Sequence, residues 1–129
     1  RGLGDVYKRQ VTPFGVIATE AAYNDSEDWL EQLIGYIHGN YQYMKEFCER
    51  NLPDFLIAVL EGTYLVWMDC RKAGMSSEEF GKRLLDGTGL MLNAGTMYGA
   101  EGEGFMRWNI ACPRASLAEG LERFADFIK

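Results

Sequence analysis

Gly104-Phe105-Met106-Arg107-Trp108-Asn109-Ile110-Ala111-Cys112 reads as a β-strand, built from aromatic and branched residues and opened by a glycine. A period of two places Met106, Trp108, Ile110 and Cys112 on one face and Phe105, Arg107, Asn109 and Ala111 on the other. One face is wholly apolar and therefore faces a core. The other carries an arginine in mid-strand, which is costly to bury alone. Arg107 must meet an internal carboxylate, reach water, or await an anionic ligand, and Asp69, at the end of another apolar run, is the internal candidate. On composition alone the internal salt bridge is the first choice.

Downstream of this strand, Ser116 and Glu119 form a capping box, and Leu117, Leu121, Phe124, Ala125 and Ile128 share one face of the helix that follows. Upstream lies a loop with Gly95, Gly99, Gly102 and Gly104 around Tyr98, preceded by a short strand over residues 90–93. Ser76 and Glu79 make a second capping box, flanked by Met75 and Phe80 as a hydrophobic staple, and start a short helix that ends near Gly87. Residues 55–60 and 64–70, separated by Glu61-Gly62-Thr63, read as a hairpin.

Before the hairpin, Leu30, Leu33, Ile34, Ile37, Tyr41, Met44 and Cys48 recur at three and four, a helix stripe that starts from the caps Asn24-Asp25-Ser26 and stops at Asn51-Leu52-Pro53. Gly35 and Gly39 weaken that helix by about 1 kcal/mol each against alanine, so it depends on packing. The element order predicts an α+β fold: a long helix, then a mostly antiparallel sheet covered by helices.

With 129 residues, 47% of them apolar, the chain has enough material for one globular core. A net charge of −6 and scattered basic residues argue against nucleic acid as a partner. No run approaches the ~18 apolar residues of a membrane span, so a soluble, cytoplasmic protein is expected. Cys48, Cys70 and Cys112 lack zinc spacing and read as reduced core thiols, and no metal site is expected. His38 falls on the polar side of the long helix, which leaves histidine catalysis without support. The glycine-rich loop is a poor phosphate cradle, because Glu101 and Glu103 add negative charge and a strand, not a helix, follows. Tyr64 and Trp67 lie on opposite faces of their strand, so at most one looks toward a pocket.

Three segments carry a resemblance: Phe14-Gly15-Val16-Ile17-Ala18-Thr19-Glu20-Ala21-Ala22-Tyr23, Glu61-Gly62-Thr63-Tyr64-Leu65-Val66-Trp67, and the arginine strand through Pro113. Together they resemble the C-terminal third of class I/II aminotransferase-fold enzymes, fold type I pyridoxal-phosphate enzymes, nearest the cystathionine β-lyase, or MalY/PatB-type, carbon–sulfur lyases. The resemblance spans about residues 11–129. Residues 1–10, basic and without periodicity, read as a foreign-looking tail, and the resemblance implies the end of the large cofactor domain at 11–23, a connecting helix at 24–51 and the small C-terminal domain at 52–129.

It also reverses the order of choices at Arg107, which in this family binds the substrate's α-carboxylate through two parallel charge-assisted hydrogen bonds. Tyr64, Tyr98 and Asn109 are the implied pocket residues beside it. The implied cofactor is pyridoxal 5′-phosphate, the substrate a small sulfur-containing amino acid, and the assembly a homodimer. An aminotransferase of the same fold, or a non-catalytic carboxylate-binding module, are the alternatives. The family's Schiff-base lysine, ring-nitrogen aspartate and most phosphate ligands lie upstream of the matching segment. Lys8, Lys45, Lys72, Lys82 and Lys129 match no such motif, so no cofactor-binding or catalytic residue is expected here, and this segment alone is expected to be inactive.

Overall fold

A computed structural model describes residues 11–129, and the expected tail at 1–10 lies outside them. The described elements are α1 (Pro13–Asp25), α2 (Glu27–Asn51), β1 (Leu65–Asp69), α3 (Ser77–Thr88), β2 (Asn93–Ala94), β3 (Phe105–Asn109) and α4 (Arg114–Ile128), with 3-10 turns at Arg71–Ala73, Gly95–Tyr98 and Ala100–Gly102. The chain divides into two compact units, the first ending at Gly35 and the second running Tyr36–Lys129.

In the first unit, α1 was not foreseen. Thr12 caps it, its Oγ1 accepting from the Gly15 amide at 3.1 Å, and Pro13 takes the first helical position, where its missing N–H costs nothing. Those two residues were the available signal. No residue of α1 is buried, and Phe14 and Tyr23 are 84% and 87% exposed. Asn24 and Asp25 of the expected cap cluster end α1, and Ser26 stands between the two helices: α2 starts directly after it, and the Leu30 amide donates to its carbonyl at 3.0 Å.

The second unit is the α+β layer. β3 is the central strand, antiparallel to β1 on one side and to β2 on the other. Val66 and Met68 of β1 and Met106 and Trp108 of β3 turn inward, where they meet Met44 and Cys48 of α2, Phe80 and Leu84 of α3, and Leu117, Leu121 and Phe124 of α4. The aromatic centre is tight: the Phe124 ring meets Phe55 edge-on at 5.5 Å and Trp108 at 5.6 Å. As expected, α2 ends at Asn51, ahead of Pro53, and α3 is capped by Ser76, whose Oγ accepts from the Glu79 amide at 3.2 Å.

Three expectations need correction. Residues 55–60 do not form a strand. They make a single bridge, Ile57 opposite Met68, with the Ala58 amide donating to the Trp67 carbonyl and the Asp69 amide to the Leu56 carbonyl. The turn that ends α2 continues into Phe55, whose amide donates to the Leu52 carbonyl, and this leaves too little straight chain for a ladder. Ser116 is not a cap: α4 starts at Arg114, directly after extended Pro113, whose carbonyl accepts from the Leu117 amide. The short strand expected at 90–93 lies at Asn93–Ala94.

Candidate functional site

Inward burial of one sheet face leaves the other available, and Leu65, Trp67 and Asp69 of β1 lie there beside Phe105, Arg107 and Asn109 of β3. Arg107 sits at the middle of this face, half-buried, with Trp67 opposite it on β1 and Asn93 opposite it on β2. Asp69 lies two pairs further along, opposite Phe105. Its carboxylate is taken by Arg71, whose Nε reaches Oδ1 at 2.9 Å and whose terminal nitrogen reaches Oδ2 at 2.6 Å. The Arg71 hydrogen bond holds the Asp69 carboxyl below the usual carboxylate range, against the opposing effect of partial burial. The internal salt bridge to Arg107 is therefore not made. Among the described residues Arg107 has neither a carboxylate partner nor a side-chain hydrogen bond.

What Arg107 does meet is Tyr98. Its guanidinium carbon lies 4.7 Å from the centre of that ring. Tyr98 in turn stands edge-on to Trp67 at 5.6 Å, and its hydroxyl accepts from Asn93 Nδ2 at 3.0 Å. The loop that presents Tyr98 is a close crossing of backbone: a Cβ on Gly95 would fall 2.1 Å from the Gly102 carbonyl oxygen, so neither position admits a side chain. Gly104, at a φ of 82°, joins this loop to β3 in a conformation that glycine tolerates. The Gly104 amide donates to Ser77 Oγ at 2.6 Å, and Glu103 accepts from the Ser77 amide at 2.9 Å. The loop's acid thus satisfies an amide at the start of α3, where a negative charge is favourable, rather than facing an anion.

Of the other residues singled out by sequence, Asn109 shares the Arg107 face, with its Oδ1 accepting from the Ala111 amide at 2.9 Å. Tyr64 precedes β1, and its carbonyl accepts from the Ile110 amide at 3.0 Å. By strand parity its side chain belongs to the opposite face from Trp67 and Arg107, and it is 43% exposed. A groove of about 230 Å³ runs past Arg107, walled by Met91, Asn93, Asn109, Cys112 and Ser116.

Sequence reasoning passed over Asn40, which anchors the far end of β3. It is fully buried, donates from Nδ2 to the Ile110 and Cys112 carbonyls at 2.7 and 2.9 Å, and accepts from Arg114 Nε at 2.6 Å. The signal was present, since Asn40 lies three residues after Ile37 and four before Met44, a polar residue on the apolar stripe.

Other reactive groups stand apart from this face. Burial pushes the Cys48 and Cys70 thiols up to about 12, and raises Cys112 as well. His38 is at the surface beside Gln42. No helix among the described residues is long and apolar enough to cross a membrane, and no described cluster of His, Cys, Asp and Glu has the makings of a metal site.

No family model matches the chain. Individual proteins do. The cystathionine β-lyase PatB of Bacillus subtilis is 40% identical over 110 residues, which is 85% of this chain and 28% of PatB. An LL-diaminopimelate aminotransferase of Dehalococcoides mccartyi is 31% identical over 83% of this chain and 27% of its own length. Among solved structures, cystalysin from Treponema denticola, which contains a pyridoxal 5′-phosphate cofactor, superimposes with a TM-score of 0.89 at 30% identity, over 96% of this chain and 32% of cystalysin. The chain thus spans about a third or less of the proteins it matches. In sequence and in fold it corresponds to the C-terminal part of the class I/II, fold type I aminotransferase family, in the branch that holds PatB, MalY and the cystathionine β-lyases.

Proposed function

We propose that this chain is the carboxylate-binding part of a pyridoxal-phosphate-dependent carbon–sulfur β-lyase acting on amino acids of the cystathionine type, and that Arg107 is the group that binds the substrate's α-carboxylate. One observation carries the reading: a mid-strand, half-buried arginine whose neighbours are Tyr98, Trp67 and Asn93, and whose fork has no carboxylate among the described residues. The similarity to PatB and cystalysin supports the reaction class, and on the domain division expected above α2 is the connecting helix.

The described residues do not themselves fit pyridoxal phosphate. Lys45, Lys72, Lys82 and Lys129 are all exposed, and three of them pair with Glu49, Asp86 and Asp126. Glu103 of the glycine-rich loop is committed to α3. In this reading the cofactor, which supplies an electron sink when bound, is held by other segments of a longer protein, whose assembly is a homodimer. The work of Arg107 is to bind and to orient. Two parallel N–H donors fix the carboxylate in the guanidinium plane, and fixing it sets the direction of the substrate's Cα–H bond. Tyr98 and Trp67 line that position with aromatic surface.

The test uses the full-length protein that carries this segment, assayed for pyruvate release from L-cystathionine. Arg107→Lys and Arg107→Ala should lower kcat/KM by about 10²- to 10⁴-fold, the equivalent of two charge-assisted hydrogen bonds, with much of the loss in KM. An unchanged KM in both variants refutes the assignment. Amino transfer to a 2-oxo acid without pyruvate release would instead make the protein an aminotransferase. The 129-residue chain alone is expected to release no pyruvate.

A further inference from the structure

We propose that Tyr98 is a positioning residue for Arg107: its ring holds the guanidinium in place before any ligand arrives, so that the fork is presented to a carboxylate already oriented. The inference deepens the role given to Arg107 above and rests on it. Three contacts converge on the ring. The Arg107 guanidinium lies 4.7 Å from its centre, inside the ~6 Å reach of a cation–ring attraction. Trp67 stands against it at 5.6 Å and 88°, and Asn93 donates to its hydroxyl at 3.0 Å. Trp67 and Asn93 are also the two cross-strand neighbours of Arg107, so the ring is braced from both strands that flank β3.

The brace is rigid at its root. The Gly95–Tyr98 turn begins at a buried glycine whose backbone crosses that of Gly102 too closely for any side chain, and the same loop is tied to α3 through Glu103 and Gly104. A ring suits this role because it competes weakly for N–H donors, whereas a carboxylate competes strongly. An acidic partner would hold Arg107 more firmly and would also occupy its fork. Tyr98 holds the group and leaves the fork to the ligand, which removes side-chain ordering from the binding step.

The test uses the full 129-residue chain labelled with nitrogen-15, with the Arg107 Nε–H resonance identified by its loss in Arg107→Lys. In the unaltered chain that resonance is displaced from the position of exposed arginines by the ring current of Tyr98. Tyr98→Leu returns it toward that position, Tyr98→Phe keeps it displaced, and Asn93→Ala, which frees the hydroxyl but keeps the ring, moves it part of the way. Sodium acetate, titrated against sodium chloride at equal ionic strength, should bind Tyr98→Leu roughly three- to tenfold more weakly than the unaltered chain, with Tyr98→Phe close to the latter. An Arg107 resonance indifferent to both Tyr98→Leu and Asn93→Ala overturns the proposal, and so does equal acetate affinity in all forms. If acetate moves the resonance no more than chloride does, the carboxylate role of Arg107 fails, and the ring dependence of the resonance still decides the positioning. Should Tyr98→Leu not fold, Asn93→Ala and Tyr98→Phe decide it alone.

Discussion

Replacing Asn40 by leucine changes little in volume and removes the polar node that pins the end of β3. Three bonds go with it: Nδ2 to the Ile110 carbonyl at 2.7 Å, Nδ2 to the Cys112 carbonyl at 2.9 Å, and Arg114 Nε to Oδ1 at 2.6 Å. They are not of equal weight. Cys112 and Arg114 are only half-buried and can turn to water, whereas the bond to Ile110 is buried throughout. A neutral hydrogen bond contributes about 0.5–1.5 kcal/mol net, one to a charged group about 1.5–3, and a buried acceptor left alone costs about 1–3 kcal/mol. Allowing for the re-solvated groups and for the apolar burial that leucine adds, a loss of about 3 kcal/mol is expected. Urea unfolding of the full chain reads it. With a slope of about 1.5 kcal/mol/M, the midpoint should fall by roughly 2 M at unchanged slope. Asn40→Asp keeps an acceptor for Arg114 and loses both donors, so it should also destabilise. A midpoint shift below about 0.5 M in Asn40→Leu would refute the claim that this residue satisfies the end of the strand.

The remaining predictions concern titration and thiol reactivity. The Asp69 carboxyl is held below its ordinary value by Arg71, so its contribution to stability is complete above the unfolded carboxyl's pKa of about 3.9 and is lost as pH falls through the lower folded value. In Asp69→Asn that part of the acid dependence, which lies below the unfolded carboxyl's pKa, should vanish, while the rest of the unfolding curve keeps its shape; an identical acid profile would sink the assignment. Cys48 and Cys70, with thiols pushed to about 12 by burial, should resist iodoacetamide at pH 8 in the folded chain. Cys112, only half-buried, should be alkylated first, and mass spectrometry of the labelled peptides gives the order.

The second unit was legible in the sequence because local rules and burial agree there. Alternation fixed the inward face of β3, and the Ser76 capping box started α3 where expected, since each depends on residues within one turn or one strand. Where competing local signals met, the stronger one won. Pro113 started α4 ahead of the Ser116 box, and the turn at Leu52 spoiled a strand that residues 55–60 would otherwise favour. Helix α1 was missed for another reason: none of its residues is buried, so no core-facing stripe marked it, and only the Thr12-Pro13 start was there to be used.

The partner of Arg107 illustrates what no local rule supplies. Parity alone put Arg107, Asp69 and Trp67 on a common face, and it allowed either of the last two to lie opposite the arginine. Choosing between them requires the register of β1 against β3, and a slip of two residues preserves every inward side chain. The observed register places Trp67 opposite Arg107 and gives Asp69 to Phe105, where Arg71, from the next turn, closes on it. Had the register slipped by those two residues, Asp69 would stand opposite Arg107 in the place of Trp67, with a carboxylate beside the fork. The carboxylate-binding character proposed for this face is thus a property of register, which on the far side of the sheet pairs Val66 with Trp108 and Met68 with Met106.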